Sequence, residues 1–396
     1  MKRSTALGFA FFAFAALLSS VSSAQSQQTP LKIGFIGELS GPVALVGQDQ
    51  YDGFMLFVEA HGGKLGGIPV DVIKEDSQFK PEVAVQLVKK LIERDHVPII
   101  TGVSFSNIMA AIHRPVTEKG VFLISSIAGP SSAAGDQCSR LVYVTSFEVE
   151  MIAEAYAEYA NSRGFKSVYL MAPNFNAGKD TMKGFKRVYK GKILNEVYTP
   201  IGQIDFAAEL TQLAAAKPDA VFAFYAGSAG VNFVRQYQQL GLLKSIPLMS
   251  QAAVESGNLR ALQDVALGVL SNIPWSQDLD NPANKKFVSG FEAKYKRIPT
   301  MAAAFSYDAA QLLDAALRTT GGNVTDKKAF MRALHYAKFP SVRGEFKFAN
   351  NNFPIQDYYI QEVARDGKGR VNMKTIATPL KQATDPYAAK CTLKWQ

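Results

Sequence analysis

The chain has 396 residues, of which 47% are hydrophobic and 19% charged, and its 43 Lys and Arg against 34 Asp and Glu give a formal net charge of +9. That apolar content excludes a disordered or low-complexity chain, and the length exceeds the roughly 250–300 residues at which a single core stops growing, so two lobes are expected. The basic residues are scattered, as in Lys183-Gly184-Phe185-Lys186-Arg187, which reads as solvated helix faces and not as a nucleic-acid groove.

Met1, Lys2 and Arg3 open the chain, residues 6–18 are apolar, and Ser22-Ser23-Ala24 supplies the small residues of a cleavage site. Residues 1–24 are therefore read as a secretory signal peptide that sends a mature chain, starting near Gln25, to the periplasm. The apolar run falls short of the roughly 20 residues a membrane anchor needs, and charged or polar residues interrupt every later one. Cys138 and Cys391 are the two cysteines. In an oxidising compartment one disulfide between them is the economical reading, with two buried free thiols as the alternative.

Strand and helix patterns then alternate. Residues 32–36 read as a strand, 49–60 as an amphipathic helix, 70–73 as a strand after the turn at Gly66-Gly67, and 81–95 as a helix with apolar residues at Val85, Val88, Leu91 and Ile92. A strand at 97–100, a helix at 107–119 and strands at 121–124 and 142–144 follow. A second series runs through helix 148–162, strand 167–171, helix 179–188, strand 192–198, helix 206–216, strand 220–225, helix 230–239 and strand 247–249. Helices at 284–295, 301–320 and 327–336 and strands at 344–348 and 356–363 complete the reading. This is the syntax of doubly wound α/β structure with a parallel sheet, used twice. No Pro/Ser/Gly-rich tether separates the halves, so the lobes should be joined by close crossovers acting as a hinge.

Catalytic signatures are weak. The four histidines, His61, His96, His113 and His335, show no i, i+4 zinc spacing. Gly102-Val103-Ser104-Phe105-Ser106 resembles a nucleophile elbow, but Ser106 stands where that turn needs its second glycine. Gly34, Gly37 and Gly41 match neither a dinucleotide fingerprint nor a P-loop. Glu75-Asp76 sits in an ordinary strand-to-helix turn. The expectation is that the chain is not an enzyme and carries no cofactor and no metal.

Gly37-Glu38-Leu39-Ser40-Gly41-Pro42, Gly47, the turn from Gly62 to Gly67, Glu75-Asp76-Ser77-Gln78, Ile124-Ser125-Ser126, the run from Asn174 to Asp180, and Tyr307-Asp308-Ala309 resemble the leucine/isoleucine/valine-binding family of ABC-transporter solute receptors, in the family's order and over the whole mature chain. The resemblance implies a type I periplasmic binding fold. Its first lobe would comprise 31–144 and 273–343 and its second 145–272 and 344–396, with three crossings near Val144-Thr145, Ser271-Asn272 and Arg343-Gly344. A small carboxylate would bind between the lobes, and the partner would be the importer's inner-membrane permease, served by a monomer. The resemblance places the ligand carboxylate on Ser106 and on the backbone of Ile127, Ala128 and Gly129.

The chain also departs from the family. Where amino-acid receptors carry an acid for the ligand's ammonium group, the loop reads Ser250-Gln251-Ala252-Ala253-Val254, with Ala252 at the acidic position and Glu255 nearby. Val46 and Ala177 replace two aromatic residues and enlarge the pocket, while Phe105, Phe147, Phe175 and Tyr225 remain as candidate walls. These changes favour an aromatic acid of the benzoate or phenylpropanoid kind over a zwitterion. A branched-chain or other amino acid is the alternative ligand, and a ligand-sensing module of a membrane receptor the alternative role.

Overall fold

The computed structural model describes residues 29–255 and 257–395, together with Met1. The signal-peptide reading at 1–24 lies outside the described residues, apart from Met1. Among the described residues no helix is long and apolar enough to cross a membrane.

Two sheets organise the chain. The first holds β1 (Leu31–Gly37), β2 (Lys64–Leu65), β3 (Ile68–Asp76), β4 (Ile99–Gly102), β5 (Phe122–Ser125) and β6 (Val142–Val144), in the order β2-β3-β1-β4-β5-β6. The second holds β7 (Ser167–Pro173), β8 (Lys192–Thr199), β9 (Ala220–Phe224), β10 (Leu248–Gln251), β11 (Leu270–Ile273), β12 (Lys347–Phe348), β13 (Pro354–Arg365) and β14 (Val371–Ala383). Its order is β12-β13-β11-β10-β9-β7-β8, with β14 beside β13. The central strands are parallel, and β4, β5 and β9 are buried along their whole length. Such strands read as continuous apolar runs because helices cover both faces.

Those helices are α1 (Ala44–Ala60), α2 (Pro81–Lys89), α3 (Ser106–Glu118), α4 (Ser131–Ala134), α5 (Val149–Ser162), α6 (Asn176–Val188), α7 (Ala207–Ala216), α8 (Gly227–Gln239), α9 (Asn258–Leu262), α10 (Pro282–Tyr295), α11 (Met301–Thr319) and α12 (Lys327–His335). Their starts follow local chemistry. Pro81 and Pro282 open α2 and α10, where a missing N–H costs nothing. Asn281 caps α10 by accepting from the Asn284 amide at 2.8 Å, and Asp326 caps α12 through the Ala329 amide at 3.0 Å. α11 lies along α1, and Tyr143 of β6 donates to the Met331 carbonyl of α12, so the late helices α10–α12 complete the first lobe.

The C-terminal segment differs from a single block in the second lobe. The turn before β13 lies against the first lobe, where Asn352 Nδ2 donates to the Val142 carbonyl at 3.0 Å. β13 and β14 then join the second sheet. After Ala383 the chain returns: Asn351 ties Asp385 to the Ala134 carbonyl, and Arg140 donates to the Lys394 carbonyl at 3.0 Å. Cys138 and Cys391 are bonded, with Cα atoms 5.8 Å apart, so the thiol alternative falls. Mass mapping of the unreduced protein is expected to find one linked peptide pair and no alkylatable thiol; two alkylatable thiols in the oxidised native sample would contradict it.

Candidate functional site

The carboxyl ends of the parallel strands in both sheets face one cavity, where open α/β sheets bind ligands. It is lined by Val46, Phe105, Ser106, Ile127, Ala128, Gly129, Phe147, Phe175, Ala177, Gln251 and Ala252. Every residue singled out from sequence is thus brought together except Tyr225. That ring is buried in the second-lobe core, 4.8 Å from Phe206 and 4.9 Å from Phe233, with its hydroxyl 3.2 Å from Thr199. Successive strand residues point to opposite faces, so it is Phe224 that reaches the cavity. Sequence reasoning also missed Ser104, Val149, Ile152, Ala226, Gly227, Asn258, Asn272, Ile273 and Met301 in the lining.

On the first-lobe wall, β4 ends in a sharp turn: Gly102 has φ +95° and Val103 φ +65°, a conformation rare for a β-branched residue and held by the Val103 amide on the Ile36 carbonyl at 2.8 Å. The turn brings Ser104 to the cavity and makes Ser106 the first residue of α3. The first amides of that helix lack intrahelical partners, and with the Ser106 hydroxyl they suit an anion. Gly129 lies so close to the Phe147 carbonyl that a Cβ would sit 1.9 Å from its oxygen, so a side chain there would push apart the two loops of the wall. Ser104 Oγ donates to Gln50 Oε1 at 2.9 Å, and Gln50 Nε2 to Ser126 Oγ at 2.7 Å, which fixes the layer behind. Glu38 belongs to that layer, and burial pushes its carboxyl up to about 7.

Aromatic rings form the sides. Phe105 packs edge-on against Phe79 at 4.7 Å, Phe147 against Phe305 at 5.9 Å, and Phe175 lies 6.0 Å from Phe224. The lobes meet at the mouth: a Cβ on Gly227, whose φ is +59°, would lie 2.9 Å from the Pro42 carbonyl. The two lobes are therefore in contact at the rim of the cleft.

The second-lobe wall is polar. Ala252 takes φ +68° after β10, and its amide donates to Glu255 Oε1 at 3.2 Å; Ser271 Oγ donates to the same oxygen at 2.8 Å. Glu255, 4% exposed, lines the cavity, and burial pushes its carboxyl up to about 7. The loop thus carries an acid three residues after Ala252.

Two parallel-sheet lobes with a cleft between them at their strand ends define a type I periplasmic binding fold. The profile of the periplasmic binding protein family matches residues 30–368, and the chain belongs to that family. It is 28% identical over 369 residues to a Leu/Ile/Val-binding protein homolog 6 of Brucella melitensis biotype 1, covering 90% of this chain and 93% of the relative. Among solved structures, an ABC-transporter solute-binding protein of R. palustris in complex with benzoate is similar with TM-score 0.86 and 30% identity, covering 92% of this chain and all of that one. A second R. palustris solute-binding protein, in complex with 4-hydroxybenzoate, is similar with TM-score 0.83 and 27% identity over 89% of this chain and 98% of that one.

Proposed function

We propose that this chain is the extracytoplasmic receptor of an ABC importer that captures an aromatic monocarboxylate by closing its lobes and delivers it to a permease, catalysing nothing. The observation that carries the reading is the lining of the cleft. One wall offers a helix start and a serine hydroxyl to a carboxylate, the sides are phenylalanine rings, and burial pushes the carboxyl of the acid on the other wall, Glu255, up to about 7. A carboxyl that burial biases towards its neutral form serves an ammonium group less well than one already ionised, because ionising it on binding costs free energy. Similarity to a benzoate-bound solute receptor supports the same ligand class.

Melting shifts and calorimetry on matched pairs test it: phenylpropionate is expected to bind more tightly than phenylalanine, and isovalerate more tightly than leucine. The amino-acid reading draws on Glu255 in the cleft and on the Brucella relative. It replaces the proposal if either amino acid outbinds its deaminated analogue. Ser106→Ala is expected to weaken binding of the tightest aromatic acid by about 1.5–3 kcal/mol, the range for a hydrogen bond to a charged group, with the melting temperature of the free protein unchanged. An unaltered dissociation constant in calorimetry would move the carboxylate elsewhere.

A further inference from the structure

The chain passes between the lobes after β6, after β11 and after α12. It makes one more passage after β14, and there its end is tied down. The tail crosses to the first lobe, where the Trp395 ring stacks on His335 of α12 at 4.1 Å. Asn350 Nδ2, in the turn before β13, donates to the carbonyls of Ala388 and Cys391 at 3.0 and 3.1 Å. The bond from Cys391 to Cys138, in the loop before β6, closes this passage covalently. Four covalent connections therefore join the lobes, and the fourth exists only while the disulfide does.

Tyr387 sits on that fourth connection, 8% exposed at the seam. Its hydroxyl donates to Glu150 Oε1 at 2.5 Å and accepts from Lys183 Nζ at 2.5 Å, and the Arg187 guanidinium lies 5.8 Å from its ring. These three partners belong to α5 and α6 of the second lobe. The same ring touches the first lobe, since a Cβ on Gly135 would lie 3.3 Å from it. Ser131 Oγ of α4 also donates to Glu150 Oε1, at 3.0 Å. The fully buried Glu150 carboxylate thus takes donors from Lys183 and Arg187 of its own lobe, from Ser131 of the other and from the tail. Because α5 and α6 pack together, rotation of the second lobe about the crossings carries Glu150, Lys183 and Arg187 as one body. Tyr387, four residues before the bonded Cys391, is held to the first lobe. Opening the cleft then takes a buried carboxylate away from two of its donors, which is costly. Without the disulfide, the tail has a free end and is free to move with the second lobe.

We propose that the Cys138–Cys391 bond and Tyr387 form a strap that biases the lobes towards the arrangement in which they meet at the rim of the cleft, so that the disulfide sets solute affinity as well as stability. A receptor whose binding arrangement is only partly populated has its affinity reduced by that fraction. Holding the lobes together therefore tightens binding with no new contact to the solute.

Small-angle X-ray scattering of the ligand-free protein compares the wild type with Cys138→Ala/Cys391→Ala and with Tyr387→Phe, which keeps the disulfide and the ring but loses the hydroxyl. Both variants are expected to show a larger radius of gyration than the wild type, with far-UV circular dichroism retained. Calorimetry with benzoate is expected to show about fivefold or weaker binding in the cysteine variant. Tyr387→Phe decides the matter if the cysteine variant does not fold. The scattering needs no ligand, so a wild type that fails to bind benzoate counts against the proposed function and leaves the strap to be judged by the radii. If both variants scatter as the wild type does, and loss of the cysteines lowers only the urea midpoint, the bond is a staple for the tail and the proposal is overturned.

Discussion

Replacing Arg343 with methionine is expected to lower the free energy of unfolding by about 3–5 kcal/mol, the cost of leaving one member of a buried ion pair alone. The guanidinium is 4% exposed and its partner Asp308 fully buried, with Nε 3.1 Å from the Asp308 carboxylate. It binds more than that partner. Nη1 donates to the Ser146 carbonyl at 3.2 Å and to Gln356, Nη2 donates to the Thr145 carbonyl, and the plane lies between the rings of Phe305 and Phe346, 5.0 and 4.9 Å away. One side chain therefore ties the chain leaving β6 to the segment leading into β13, at the crossings between lobes. Urea unfolding should show the loss as a lower midpoint at unchanged slope. Adding Asp308→Asn should return part of it, because the lone buried charge is then removed. A single variant within 1 kcal/mol of the wild type would mean that the crossings hold without this pair.

Much of this architecture is legible in the sequence, because long helices and buried strands write their periodicity plainly. The pattern at 301–320 corresponds to α11 and that at 327–336 to α12, each within a residue. β14 has no such signal. It pairs with β13, its residues are half-buried or exposed along most of its length, and lysines at 374 and 381 interrupt it. β11 is four residues long and contains Ser271 and Asn272, so it reads as a crossing and not as a strand. The disulfide is legible because only two cysteines exist to pair. In the site, residues on loops that resemble the family line the cavity. Phe224 and Tyr225 exchange roles because both are buried aromatics at a strand end, where nothing in sequence sets the phase of alternation. Glu255 lies in an irregular loop with no period, and only the turn at Ala252 brings it to the cleft.

That loop and its first-lobe counterpart make stability depend on pH in an unusual direction. Glu38 and Glu255 are both fully buried, and desolvation raises each from an ordinary value of 4.5 to about 7. A carboxyl whose folded value is raised holds its proton in the native state after the unfolded chain has lost it. Its contribution is therefore complete below about pH 4.5 and is lost as pH rises through 7, by about 3 kcal/mol for each carboxyl. Buried His113 and half-buried His335 are shifted down by desolvation, so they act oppositely and cost stability as pH falls through 6.5. The two effects are separated by comparing variants at the same pH. Glu38→Gln/Glu255→Gln keeps shape but cannot ionise, so the difference between its unfolding free energy and that of the wild type should move in the variant's favour as pH is raised from 5 to 8.5. Each single variant should show about half the movement, since the carboxyls sit in different lobes and share no partner. Urea titrations without ligand at the two pH values supply the numbers. A difference that stays constant between them would show that both carboxylates ionise normally in the folded protein, and Glu255 would then be a full negative charge facing the ligand.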